Sequence, residues 1–209
     1  MIAIIDYDIG NLGAVASMLH RVGASTCITA DPAHIAAADG IVLPGNGAFD
    51  ACMRNLQASG LIPLLERLVL GDRRPLLGIC VGAQMLGHGS EEGQQGGLGW
   101  LDFDVRRFPD APDLRVPHMG WNEVQALRPE HPLLRGLEQP ARFYFVHSYY
   151  MAPRDPSLAL LGCNHGIDFA AAVARDRLAG VQFHPEKSHR FGKRLLANFV
   201  ELVRCCAPE

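Results

Sequence analysis

The chain has 209 residues, of which 48% are hydrophobic, and a formal net charge of −3. This length and composition fit a single domain over residues 1–209 and exclude a fibrous or disordered chain. The small negative charge argues against a nucleic acid or an anionic membrane as principal partner. No apolar run approaches the roughly 20 residues that span a bilayer, and no charged leader precedes the first apolar run. We therefore expect a cytoplasmic protein.

Short apolar runs predict buried strands, and in the first 90 residues they alternate with helical repeats that begin near Leu12, Phe49 and Leu61. The predicted strands are Ile2–Ile5, Gly40–Leu43, Pro75–Ile79, Phe143–Val146 and Leu178–Phe183. This alternation predicts an α/β fold, a three-layer domain with a central, mostly parallel sheet flanked by helices. Reactive groups are then expected at the carboxyl ends of the strands.

The second half of the chain has a different pattern. From Leu101 to Ala174, short strands and Pro/Gly turns predict a smaller antiparallel section on the same core. A final helix is predicted after Ser188, which would act as its N-cap. One apolar stripe of this helix would carry Phe191, Leu195, Phe199 and Leu202.

Cys80 has the sequence context of a reactive thiol. The segment Gly78-Ile-Cys80-Val-Gly82 follows a predicted strand and precedes a run that favours a helix. Such a strand-to-helix turn exposes a nucleophile, and flanking glycines permit close backbone approach. A helix N-terminus directly after Cys80 would stabilise its thiolate. A cysteine between Ile and Val can also be a small core residue, but the paired glycines favour the nucleophile.

A base and an orienting carboxylate occur together in Val181-Gln-Phe-His184-Pro-Glu186. Residues two apart in extended chain point to the same side, so Glu186 can bond one imidazole nitrogen while the other faces the thiol. Cys80, His184 and Glu186 then form a predicted triad. The backbone N–H of Val81 and the loop Pro44-Gly-Asn-Gly47 are candidate oxyanion donors. The same loop also suits an ordinary turn between strand and helix.

The sequence carries no signal for a metal, nucleotide or disulfide site. His184 and His189 lack a third ligand at metal spacing. Neither G-x-G-x-x-G nor G-x-x-x-x-G-K-[ST] is complete. No C-x-x-C motif occurs, so each cysteine is expected to be a free thiol in a reducing compartment. The cysteines are Cys27, Cys52, Cys80, Cys163, Cys205 and Cys206.

The Gly-rich loop, the G-x-C-x-G elbow and the His-Pro-Glu triplet resemble the motifs of the class I, triad-type glutamine amidotransferases. The likeness covers practically the whole chain, from Ile4 to Phe199. Three phrases are similar to one branch of that family, the glutaminase subunits of imidazole glycerol phosphate synthase. They are Pro117-His-Met-Gly-Trp-Asn122, Tyr144-Phe-Val-His-Ser-Tyr149 and Gly180-Val-Gln-Phe-His-Pro-Glu-Lys-Ser188.

The resemblance implies a function in histidine biosynthesis that needs no metal or organic cofactor. Cys80, His184 and Glu186 would hydrolyse L-glutamine to glutamate and ammonia. The ammonia would travel to a (β/α)8-barrel cyclase subunit in a heterodimer, which makes imidazole glycerol phosphate and aminoimidazole carboxamide ribotide.

The resemblance also implies roles for further residues. The oxyanion hole would comprise Gly45, Asn46 and Val81. The substrate glutamine would be held by Gly47, Gln84, Glu92, Ser148 and Tyr149. The partner interface and the mouth of the ammonia passage would carry Asn11, Trp121, Asn122, Tyr144 and Lys187.

Asn46 departs from the usual pattern, because this branch commonly carries valine there, in the sequence P-G-V-G. The resemblance implies that this loop rearranges when the cyclase binds its ligand. Asn adopts a positive φ more readily than a β-branched residue does. We therefore hypothesise that Asn46 eases the inward turn of the oxyanion donor and raises the basal glutaminase rate.

Two alternatives remain open from the sequence. One is a paralogous glutaminase that supplies ammonia to a different barrel synthetase, for example one that amidates a surface sugar. The other is a scaffold subunit without catalysis, against which the complete triad argues.

Overall fold

The computed structural model describes residues 1–112 and 114–205, so Cys206 lies outside the described residues. Within these ranges the strands are β1 (Ile2–Ile5), β2 (Thr26–Thr29), β3 (Gly40–Gly45), β4 (Leu76–Cys80), β5 (Phe103–Arg107), β6 (His118–Ala126), β7 (Ala141–His147), β8 (Tyr149–Pro153), β9 (Ala159–His165), β10 (Ile167–Arg175) and β11 (Leu178–Val181). The α-helices are α1 (Leu12–Arg21), α2 (Pro32–Ala36), α3 (Phe49–Ala58), α4 (Ile62–Glu66), α5 (Val81–Gln84) and α6 (His189–Arg204).

One sheet runs through the molecule, in the order β2-β1-β3-β4-β11-β10-β9-β6-β7. Strands β2, β1, β3, β4 and β11 run parallel to one another, whereas β10 pairs with β11 in the antiparallel sense. The predicted α/β class is therefore confirmed. Strands β5 to β10 form the antiparallel section and extend the same sheet, and β5 joins it through β8 and β10.

The strands at the centre of the sheet are apolar because both of their faces are covered. Every residue of β1, β3, β4 and β11 is buried. Helices α1 and α6 contact each other, and α5 contacts α3 and strands β3, β4 and β11. The consecutive apolar runs that predicted these strands thus reflect a core on both sides of the sheet.

The final helix differs from its prediction in two details. Val203, and not Leu202, completes the buried stripe after Leu195 and Phe199, because the i, i+4 spacing continues to 203. Gly40 leaves room for it, since a Cβ there would lie 2.4 Å from Val203 Cγ2. Ser188 precedes the helix, but its side chain makes no capping hydrogen bond.

Strand boundaries differ from the predictions by a few residues. Strand β3 continues past Leu43 to Gly45, and β11 ends at Val181 instead of Phe183. The cysteines that the structure describes are all free thiols. Every helix in the described ranges is too short or too polar to span a bilayer.

Candidate active site

Cys80 ends β4 and immediately precedes α5, with φ +54° and ψ −115°. A positive φ is uncommon for a residue with a side chain and is held only where its surroundings enforce it. Close packing around the turn depends on the glycines two residues to either side, Gly78 and Gly82. A Cβ on Gly82 would lie 2.0 Å from Leu43 O, and one on Gly78 would lie 2.8 Å from Ala83 Cα. The chain can pack this closely around the turn at Cys80 only because the residues two positions before and after it lack side chains.

His184 and Glu186 follow β11, which lies beside β4 in the sheet. Nδ1 of His184 lies 2.8 Å from Oε1 of Glu186, and both side chains are nearly buried. His184 Nε2 and Glu186 Oε2 are also buried, and neither makes a hydrogen bond of regular geometry within the described chain. Nε2 is therefore the imidazole atom left for Cys80.

The environment of His184 favours its protonated form. Burial alone would lower the pKa of His184, but the Cys80 thiol and the Glu186 carboxylate together raise that pKa to about 9. At neutral pH the imidazole can therefore hold a proton beside the thiol. An imidazolium in this position stabilises a thiolate, which is the nucleophilic form of cysteine.

The loop after β3 lies directly against the elbow. A Cβ on Gly45 would lie 2.1 Å from Gly82 N, and Gly47 has φ +88°. The Tyr7 hydroxyl donates to Pro44 O, and the Cys52 thiol donates to Asn46 O across 3.4 Å. Burial raises the pKa of both donor groups, so each keeps its proton. These bonds hold the loop by its carbonyl oxygens.

Val81 is the first residue of α5, so its N–H has no partner inside the helix. It follows Cys80 directly, and its role as an oxyanion donor stays a prediction. Asn46 has no positive φ, and it is Gly47 that adopts the left-handed conformation in this loop. The conformation that the Asn46 hypothesis requires is therefore not the one seen here.

A cavity of about 260 Å³ opens beside the thiol. Its lining residues come from the oxyanion loop, the elbow and the β7–β8 junction. They are Asn46, Gly47, Cys80, Val81, Gln84, Glu92, Pro117, Val146, His147, Ser148 and Tyr149. The structure thus brings together every residue predicted to hold the substrate. A larger cavity of about 1010 Å³ among β6, β8, β9 and β10 does not contain Cys80.

Gln84 and Glu92 are both anchored at the edge of this pocket. Gln84 Nε2 donates to Tyr149 O across 3.1 Å and to Gln182 Oε1 across 3.0 Å. Glu92 Oε2 accepts the backbone N–H of Phe49, at the start of α3, across 2.8 Å. Each side chain therefore has one oxygen left for a ligand.

Gln182 is a residue of the site that the sequence reasoning missed. Its side chain is fully buried, and its Nε2 lies 3.9 Å from Cys80 Sγ as a hydrogen-bond donor. The signal was a polar residue between Val181 and Phe183, inside an apolar run that predicts a strand. A buried amide in such a run requires hydrogen-bond partners, and here they are Gln84 and the thiol.

Three of the five residues predicted to face a partner lie close together. Trp121 stacks on His189 with ring centroids 5.2 Å apart and meets the Tyr144 ring edge-on at 6.2 Å. Lys187 Nζ lies 5.7 Å above the Tyr144 ring. We call Trp121, Tyr144 and Lys187 the aromatic face.

The other two predicted partner residues have structural bonds of their own. Asn11 caps α1, accepting the N–H of Ala14, and α1 contacts the turn that contains Lys187. Asn122 is half-buried, and its amide nitrogen bonds His118 and Asn164 O.

Backbone contacts join the aromatic face to the candidate base. His184 N–H donates to Tyr144 O across 2.9 Å. The Ser188 hydroxyl accepts from Tyr144 N–H across 3.0 Å and donates to His184 O across 2.6 Å. The predicted capping residue instead joins β7 to the segment that follows β11. No group of three or more His, Cys, Asp or Glu side chains within residues 1–112 and 114–205 could hold a metal ion.

Comparison with known proteins identifies the family of the chain. Residues 3–203 match the family model described as glutamine amidotransferase class-I. The chain is 54% identical to "Imidazole glycerol phosphate synthase subunit HisH 2" of Pseudomonas aeruginosa, over 97% of this chain and all of the relative. It is 50% identical to subunit HisH of Synechococcus elongatus, over 97% of this chain and 93% of the relative.

Among solved structures, one described as a glutamine amidotransferase superposes with a TM-score of 0.75 at 19% identity, covering 98% of this chain and all of the other. At that identity the likeness supports the fold alone. The family match and the curated relatives extend over nearly the whole chain. The chain therefore belongs to the class-I glutamine amidotransferases, in the branch of the imidazole glycerol phosphate synthase HisH subunits.

Proposed function

We propose that Cys80 releases ammonia from L-glutamine with His184 and Glu186, and that the ammonia serves a cyclase subunit bound at the aromatic face. The chain is a glutamine amidotransferase, the glutaminase subunit of an imidazole glycerol phosphate synthase. One observation carries the assignment of the reactive groups. Cys80, whose backbone has a positive φ, shares a small cavity with Gln84 and Glu92. It also lies beside the imidazole of His184, whose Nδ1 is 2.8 Å from Oε1 of Glu186.

The reaction follows from these groups. The Cys80 thiolate attacks the amide carbon of glutamine, and the His184 imidazolium gives its proton to the leaving ammonia. A glutamyl thioester then remains on Cys80. Neutral His184 takes a proton from water as the water attacks this thioester, and glutamate leaves as the thiol is restored. Glu186 keeps Nδ1 of the imidazole protonated and oriented throughout.

Each tetrahedral intermediate carries a negative oxygen that needs donors. Val81 N–H is the first, because the start of α5 places it next to Cys80. We assign the second to the Gly45–Asn46–Gly47 loop. In the present conformation Cys52 and Tyr7 hold carbonyl oxygens of that loop and its flank, so an inward donor requires a change there.

The pocket suits an α-amino acid with an amide side chain. Glu92 offers a carboxylate oxygen to the α-ammonium group, since its other oxygen is used on Phe49 N–H. Gln84 offers its own carbonyl oxygen. Ser148 lies between β7 and β8, Tyr149 begins β8, and we expect Gly47 to close the opposite wall.

We further propose that the partner is a (β/α)8-barrel cyclase in a cytoplasmic heterodimer. The aromatic face combines the exposed ring of Trp121 with the half-buried ring of Tyr144, and aromatic residues are enriched at protein interfaces. Asn11 and Asn122 would flank it. Ammonia released into bulk water would become ammonium and lose its nucleophilicity, so a closed passage to the cyclase serves the chemistry. The cyclase would produce imidazole glycerol phosphate and aminoimidazole carboxamide ribotide.

A second candidate concerns the partner only. The Pseudomonas relative is named subunit HisH 2, and a numbered subunit is compatible with a paralogue that serves another barrel synthetase. Glutamine hydrolysis measured with and without the histidine-pathway cyclase and its nucleotide ligand distinguishes the two. Strong stimulation by that cyclase supports the histidine-pathway partner. If the cyclase neither binds the chain nor stimulates it, the result supports a different synthetase as partner.

The same assay tests the nucleophile. Cys80→Ala is expected to abolish ammonia release while the variant still binds the cyclase. Retained hydrolysis in this variant would rule out Cys80 as the reactive group.

A further inference from the structure

A path of hydrogen bonds connects the surface near the aromatic face with the pocket beside Cys80. Asn122 Nδ2 lies 3.1 Å from His118 Nε2, and His118 Nδ1 lies 2.9 Å from His147 Nε2. His147 Nδ1 in turn lies 2.8 Å from the carbonyl oxygen of Tyr149. None of these imidazoles has a role in the reaction described above.

The outer end of this path fixes the direction of every bond. Asn122 Oδ1 accepts the N–H of Glu123 across 2.8 Å, and its Nδ2 donates to Asn164 O across 2.9 Å. The amide orientation is therefore settled by both neighbours. Because an amide nitrogen only donates, His118 Nε2 must accept, and His118 must carry its proton on Nδ1.

The inner end requires the same direction independently. A carbonyl oxygen only accepts, so His147 must carry its proton on Nδ1 and present a bare Nε2 to His118. Burial lowers the pKa of His118 to about 4 and that of His147 to about 3. Both rings are thus neutral near pH 7, each in the Nδ1–H tautomer.

Packing prevents the His118 ring from turning. Phe145 stacks on one side at 4.6 Å between centroids, and His165 stacks at 4.1 Å. Phe108 meets the ring edge-on at 6.2 Å. A ring held in this way transmits the position of its hydrogen-bond partners instead of adapting to them.

The path ends on atoms that shape the substrate pocket. Tyr149 O accepts from His147 and also from Gln84 Nε2, whose second hydrogen goes to Gln182 Oε1. Both hydrogens of the Gln84 amide are therefore used inside the protein. The atom that Gln84 presents to the cavity is its Oε1, a hydrogen-bond acceptor.

We propose that His118 and His147 are positioning residues for the substrate: they fix the Tyr149 carbonyl and thereby hold Gln84 with its acceptor oxygen facing the glutamine. This inference rests on the proposed glutaminase function. In this proposal Gln84 selects a ligand that carries a hydrogen-bond donor, and the two histidines keep Gln84 in the orientation that makes this selection. Neither histidine touches the reacting atoms, so substrate affinity should depend on them more than the chemical step does.

Paired variants in the complex with the cyclase test the positioning role. His147→Leu removes the donor to Tyr149 O and is expected to raise the KM for glutamine about tenfold or more, with kcat changed less than about threefold. His147→Asn keeps an N–H near the position of Nδ1 and should restore most of the KM. An Asn variant with the KM of the Leu variant would contradict the proposal, as would a loss of kcat at unchanged KM.

A spectroscopic measurement decides the question without turnover. In ¹⁵N spectra of the full-length wild-type chain, both rings are expected to carry the proton on Nδ1, and a proton on Nε2 of either ring would overturn the proposal. The outcome is independent of catalysis. A wild-type complex that released no ammonia would contradict the proposed function, whereas the tautomers would still show whether the path exists.

Discussion

His184 Nδ1 lies 2.8 Å from Oε1 of Glu186, although Pro185 is the only residue between them. The short turn over Pro185–Lys187 brings the carboxylate back beside the ring. Glu186 can therefore orient the imidazole without a partner from another element. The same contact helps to raise the pKa of His184, next to the contribution of Cys80.

Replacing Glu186 tests this electrostatic role. Glu186→Gln keeps an acceptor for Nδ1–H but removes the negative charge, so the pKa of His184 should fall from its raised value of about 9. As the pH rises, the imidazole then loses its proton at a lower pH than in the wild type. The alkaline limb of kcat/KM should therefore move down by about one pH unit. The amine of glutamine titrates alike with both enzymes, so the difference between the two profiles reports His184. Identical pH profiles for the two enzymes would show that Glu186 does not raise the pKa of His184.

We expect opposite effects on stability from substituting a glycine in the elbow and a glycine in α1. Gly82→Ala would bring a Cβ within 2.0 Å of Leu43 O and should lower the free energy of unfolding by about 1–3 kcal/mol or more. Gly13→Ala in α1 meets no atom within 4 Å and should raise it by about 0.5–1 kcal/mol. Denaturant titrations of both variants measure the difference. Equal effects would show that close packing does not govern Gly82.

The Asn46 hypothesis makes a prediction for the isolated subunit. A valine at 46 should resist the positive φ that an inward-turned donor would need, so Asn46→Val should lower the basal glutaminase rate by about tenfold. Asn46→Gly keeps the backbone freedom and should retain that rate. Turnover is measured with and without the cyclase and its ligand. Unchanged basal turnover in the valine variant would refute the hypothesis.

The aromatic face predicts where affinity for the cyclase resides. Trp121 is 40% exposed and stacked on His189, so Trp121→Ala should raise the Kd of the complex about 10–100-fold. Leu127 is a matched control, because it is 48% exposed and lines the separate large cavity. Calorimetric titration should show an unchanged Kd for Leu127→Ala. Equal losses in both variants would place the interface elsewhere.

The parts of the site that lie on short motifs could be predicted from the sequence. Gly78 and Gly82 around Cys80 indicate a turn without side chains, and the structure shows the close contacts that require them. His184 and Glu186 are two residues apart, so their pairing is local as well. The central strands were also predictable, since full burial of β1, β3 and β4 leaves consecutive apolar residues.

Features that depend on sheet register could not be predicted in this way. His118 and His147 meet because β6 and β7 pair them directly, and no local pattern states which residues oppose each other across two strands. The contact between Gln182 and Gln84 joins residues 98 positions apart. Strand β2 at the sheet edge, Thr26–Thr29, is only partly buried and therefore lacks the apolar run that marks its neighbours.

If the cyclase docks on Tyr144, as we propose, the hydrogen bonds among Tyr144, Ser188 and His184 link its docking to the binding of substrate. A partner that shifted Tyr144 would be expected to shift the backbone of His184 too, because hydrogen bonds join the two residues directly and through Ser188. Linkage is reciprocal for binding free energies. Glutamine should therefore tighten the complex with the cyclase by the same factor by which the cyclase tightens the binding of glutamine.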